Sequence, residues 1–208
     1  MGCDIHNHIE YLKTINGENK WICGDYFMVN PYYEEGIDDG EKPLELVGFC
    51  NNRNYGLFSI LAGVRNYSDN KPIAEPKGLP EDLSKEVKED IEYWGTDGHS
   101  HSYFTLKELL DYQKQQPKLK RSGYISPENA KALDEKGVEP ECWCQFTTLN
   151  NWVWREWITR DDSLDHLIAE MKKRADELYI IYDFLWEQNP EEAYKQSDKI
   201  RLVFWFDN

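Results

Sequence analysis

The sequence predicts an α+β fold: a mainly antiparallel sheet that includes the N- and C-terminal strands, flanked by helices. Three observations carry this. The opening alternates in a β pattern, the chain ends on the β-rich run "KIRLVFWF", and helical periodicities lie between the two.

In chain order, residues 3–12 form the first strand. Cys3, Ile5, Asn7, Ile9 and Tyr11 face one side, and Asp4, His6, His8 and Glu10 the other. The Asn-Gly step in "INGENK" supplies a hairpin turn into "WIC" at 21–23. Residues 25–50 mix aromatics, glycines and acids without a sustained period, so they read as loop with one short strand near 44–49. "NYGLFSILAGVRN" (54–66) is helical, since Leu57, Phe58, Leu61 and Val64 recur at helical spacing. "KPIAEPKGLPEDLS" (71–84) is a proline-punctuated loop whose Ser84 caps an acidic helix ending near residue 93. "GTDGHSHSYF" (95–104) reads as a loop-to-helix junction, because Thr105 and Glu108 then form a capping box. "SPENAKALDEKG" has Ser at the N-cap, Pro at the first turn and Gly beyond the end of a short helix. Residues 161–187 read as the longest helix, with Leu164, Leu167, Ile168, Met171 and Leu178 on one stripe. Trp143, Trp152, Trp154 and Trp157 are expected in the core.

A chain of 208 residues suits a single domain over 1–208, or one domain with a sizeable insertion. Its net charge of −15 argues against coating a nucleic acid polymer, but a small anion needs only a few placed donors. Five cysteines (Cys3, Cys23, Cys50, Cys142 and Cys144) form no pair of zinc-finger type and read as free thiols. The opening lacks a basic, then apolar, leader and no apolar run reaches the ~20 residues of a membrane span, so a cytoplasmic protein without a membrane partner is expected.

Four of the five histidines sit in two His-x-His pairs, His6 with His8 and His99 with His101. On a strand, residues i and i+2 share a face about 7 Å apart, close enough to share a metal with a further ligand. "CDIHNHI" is also similar to the opening strand of amidohydrolase-like metal hydrolases, whose barrels draw more ligands from further strands than this chain supplies. A solvated polar strand face explains the first pair equally well. The second pair precedes a helix start, where free N–H groups suit phosphate or carboxylate, with Ser100 and Ser102 as added donors. Two Arg-Asn-Tyr triplets, at 53–55 and 65–67, are the residue types that would hold a planar anion; salt bridging to the surplus carboxylates competes with that reading.

The blocks "MGCDIHNHIEY", "RNYGLFSILAGVRN", "EPKGLPEDLS", "WGTDGHSHSYFTLKELL" and "RLVFWFDN" resemble those of a family of phage and bacterial proteins that open MGCDIH. The resemblance spans the chain and implies a phage or prophage accessory protein. By analogy of context it extends to proteins that sequester or cleave nucleotide signals of bacterial defence. The leading expectation is therefore a module binding a small nucleotide-like anion through Asp4, His6, Arg53, Asn54, Tyr55, Arg65, His99, Ser100, His101 and Ser102. A second is a metal-dependent phosphodiesterase or hydrolase, with a divalent cation on His6, His8, His99, His101, Asp4 and Asp97. A third is an acidic protein–protein inhibitor.

Overall fold

The computed structural model describes residues 2–37, 41–49, 53–67 and 69–207; Cys50 lies outside the described residues. The chain forms two compact units, Met1–Gln115 with Ser163–Asn208, and Gln116–Asp162 inserted between them. The first unit holds β1 (Asp4–Ile15), β2 (Glu18–Cys23), β3 (Tyr26–Val29), β4 (Leu44–Val47), α1 (Tyr55–Ala62), α2 (Lys85–Trp94), β5 (His99–Thr105) and α3 (Leu106–Gln115). The inserted unit follows with β6 (Leu119–Ile125), α4 (Pro127–Lys136) and β7 (Val153–Thr159). The chain then returns to the first unit for α5 (Ser163–Glu177), α6 (Asp183–Gln188), α7 (Pro190–Gln196) and β8 (Ile200–Asp207).

The main sheet has the order β2-β1-β8-β5 with antiparallel neighbours, so the two terminal strands pair as expected. Asn16 and Gly17 both adopt positive φ, 53° and 82°, the conformation a two-residue hairpin between β1 and β2 requires. One face of the sheet presents Ile5, Ile9, Leu202, Phe204, Phe206 and Phe104 to the apolar stripes of α1, α3 and α5, and these side chains are essentially all buried. The ring of Phe58 from α1 packs edge-on against Phe206, with centroids 5.1 Å apart. α1 ends at Gly63, whose left-handed φ of 69° lets its N–H cap Ser59. Among the described residues no helix is long and apolar enough to cross a membrane.

Three local readings change. "HSHSYFT" is strand β5 and not a loop, since pairing with β8 supplies backbone partners that its turn-like residues do not announce. A register shift between His99 and Ser102, with Ser100 at φ 53°, accommodates its polar start. The long helix breaks after Glu177, where Tyr179 turns left-handed at φ 59° and Asp176 accepts the Asp183 amide that opens α6. In the inserted unit β6 and β7 pair as a two-stranded antiparallel sheet, with Trp157 buried against Trp143 and Trp154 42% exposed on the other face. Of that tryptophan group, then, Trp157 is a core residue and Trp154 is not.

Candidate functional site

The second face of the sheet carries a row of charged and hydrogen-bonded pairs instead of a wet strand surface. On β1, Asp4, His6, His8 and Glu10 alternate toward this face, and each meets a charged partner from another element. Arg53 grips Asp4 through both Nε and Nη2, which holds that carboxyl below its usual range. His6 Nε2 lies 3.2 Å from Asp207 Oδ2. Glu10 Oε2 accepts Arg201 Nε at 2.7 Å, while Glu10 Oε1 accepts the Ser84 amide that starts α2. Glu10 and Arg201 are both buried, and the guanidinium also bonds Asp82 and lies over Trp21.

His8 is nearly as enclosed as Glu10, at 2% exposure. Its Nδ1 meets Asp25 Oδ2 at 2.8 Å and its Nε2 meets Asp90 Oδ2 at 3.0 Å. Burial alone would lower its pKa, but the two carboxylates outweigh burial and raise it to about 9. Burial pushes the Asp25 carboxyl the other way, up, with His8 opposing. The ion pair is the better description: each ring nitrogen faces a carboxyl oxygen, and only the doubly protonated imidazolium can donate to both. A doubly protonated imidazole donating on both sides has no lone pair left for a metal.

Above this row lies a cavity of about 680 Å³. Its floor is Asp4, His6, His8 and Asp207. One wall is the hairpin β3–β4, with Phe27, Leu44, Leu46 and Val47; the other is the face of α2 that carries Glu86, Glu89, Asp90, Tyr93 and Trp94. Those α2 residues recur at i, i+3, i+4, i+7 and i+8, one helical face. Among the described residues, seven lining residues carry carboxylates, and the basic ones are Lys42 and the two histidines. Trp94 packs at a tilt on His6, 3.8 Å between centroids. Among the described residues the Nδ1 of His6 has no hydrogen-bond partner, so it can accept a hydrogen bond when Nε2 donates to Asp207.

The two His-x-His pairs meet at an indole and not around a metal. His6 and His101 stack on Trp205 from the strands on either side of β8, at 5.6 and 6.1 Å, and His8 approaches at 5.5 Å. Two strand spacings separate the pairs, about 10 Å. Gly98 permits this: a Cβ there would stand 3.0 Å from the Trp205 ring and 3.1 Å from His101 Nε2. No group of three or more His, Cys, Asp or Glu side chains among the described residues could hold a metal ion. No protein-family model, curated protein or solved structure matches the chain.

The remaining expected residues disperse. Arg53 pairs with Asp4 and lies against Gly2, Asn54 caps α1 by accepting the Leu57 amide, and Tyr55 packs edge-on to Phe58 and Tyr67. Arg65 donates to the Gly2 carbonyl. His99 Nδ1 sits 3.0 Å from Ser100 Oγ, and buried Ser102 accepts the Lys77 amide. Burial, then His99, lowers the pKa of His101. Asp97 ends a 3-10 turn at Gly95–Asp97 with an exposed side chain. Asp4 and His6 alone of the expected anion-site residues line the cavity among the described residues. Asp25, Glu86, Asp90, Trp94 and Asp207 belong to no candidate site read from the sequence. The Glu86–Asp90–Trp94 repeat was the available signal, and Asp207 needed the β1–β8 register. Burial raises the Cys3 thiol and drives Cys23 up to about 12, so neither is a nucleophile at neutral pH.

Proposed function

We propose that the protein is a binding module whose cavity captures a small organic cation. One observation carries the reading: a cavity of ligand size joins seven carboxylates to aromatic side chains, with few basic groups to oppose a positive guest. Carboxylates supply charge-assisted hydrogen bonds to ammonium or guanidinium, and Phe27, Tyr93 and Trp94 supply ring faces for cation–π contact. The nucleotide-like anion expected from the sequence would enter against this field, and its two candidate arginines are turned to Asp4 and Gly2. Phage accessory context is compatible with either ligand.

Calorimetric titration at moderate salt separates them. Amines, guanidinium compounds and quaternary ammonium ions go in one panel, mono- and cyclic nucleotides in the other. Saturable one-to-one binding is expected from the cation panel only. Nucleotide binding without cation binding would return the site to the anionic reading.

A further inference from the structure

We infer that the cation is a linear aliphatic diamine or polyamine, lying along α2 between two carboxylate poles. This rests on the cation reading above and adds three observations to it. First, Glu86 on α2 and Glu45 on β4 both line the cavity, and neither makes an ion pair or hydrogen bond among the described residues. The other carboxylates there are engaged: Asp4 by Arg53, Asp90 by His8, Asp207 by His6, Glu89 by Lys42 and Glu41 by Asn30. A guest is therefore asked for two positive charges on separate carboxylates, beyond what the protein already neutralises. Second, the acid row on α2 is extended. Glu86 and Asp90 stand one turn apart, about 6 Å along the helix axis, and Trp94 one turn further. A compact monocation spans one such step and a linear diamine spans more. Third, the β3–β4 side of the cavity is apolar, with Leu44 and Leu46 on one face of β4 beside Phe27. Methylene segments between ammonium groups bury against such a strip, which gives a guanidinium or a hydrated metal ion nothing. His6 Nδ1, on the floor, adds an acceptor for one ammonium N–H.

The test titrates the full chain with putrescine, spermidine and spermine against n-butylammonium, tetramethylammonium, arginine and magnesium chloride. About 0.15 M salt screens the general acidic surface to a reach of ~8 Å. Spermidine is expected to bind one site at least tenfold more tightly than n-butylammonium. Glu86→Gln and Glu45→Gln should each weaken spermidine about tenfold, the loss of one charge-assisted hydrogen bond. Glu135→Gln, which removes the same charge outside the cavity, should leave binding unchanged. Thermal melting of each variant, expected to match the parent because both sites are exposed, shows that the fold is retained. Equal affinities for spermidine and n-butylammonium overturn the polyamine inference and leave the cation reading standing. No binding by any cation removes both. Weak multiple sites that respond equally to Glu135→Gln also overturn the inference, because they assign the affinity to net charge.

Discussion

His8 holds both walls of the cavity with one side chain, since Asp25 precedes β3 and Asp90 belongs to α2. Removing it leaves a buried carboxylate without its partner, a loss of roughly 3–5 kcal/mol. His8→Gln should therefore lower the melting temperature by on the order of 10 °C. The ring's pKa rises from 6.5 to about 9 on folding, so its contribution is fully present below pH 6.5. It is lost as pH rises through about 9. Urea titrations of parent and variant across pH 6–10 should show the stability gap closing over that window; a gap unchanged at pH 10 would mean a neutral ring. Asp25→Asn in the His8→Gln background should recover part of the loss, because the orphaned charge is then gone as well.

At the scale of elements, α2 is held by polar contacts more than by packing. Val87 is its one fully buried side chain, and its other anchors are the Ser84 amide on Glu10, Asp90 on His8 and Trp94 on His6. Asp90→Asn should raise amide hydrogen exchange across residues 85–94 well above any change in α1 or α3, which sit on the apolar face. Uniform exchange across all three helices would show that α2 is not a separate opening unit. The elements legible in the sequence are those written in local chemistry. The Asn16-Gly17 turn, the Thr105–Glu108 box and the Ser126-Pro127 start each act within a few residues. β5 was illegible because "HSHS" becomes a strand only through β8, and β3 because Tyr26–Val29 pairs with residues beyond an irregular loop. The polar face was half legible. The alternation of Asp4, His6, His8 and Glu10 stood in the text of β1, but Asp25, Asp90 and Arg201 reach them across 17 to 191 positions. Such partners follow from strand order and helix placement, which no local pattern encodes.

For the molecule as a whole, the inserted unit enters where the first unit is already closed. Gln113 at the end of α3 donates to Asp165 at the start of α5 at 2.7 Å, so the two ends of the insertion lie side by side. Replacing residues 116–162 with a short Gly-Ser linker should leave a first unit that still folds. Shortening the loop that β1 and β8 must close changes the entropic cost by only about 0.2 kcal/mol. Stopped-flow refolding within about twofold of the parent is the expected result, and failure to fold would make the insertion an obligate part of the first unit. The position of β8 has its own consequence in time. It lies between β1 and β5, and its pairing joins Asp4 to Asp207 across 203 positions. Contacts so distant in sequence form late and slowly, on the millisecond-to-second scale of non-local β topologies. Until they form, β1 and β5 each keep an open edge beside exposed apolar side chains, the arrangement that recruits strands from other chains. Refolding yield should accordingly fall with protein concentration, because a second molecule can then fill the gap before the chain's own β8 arrives.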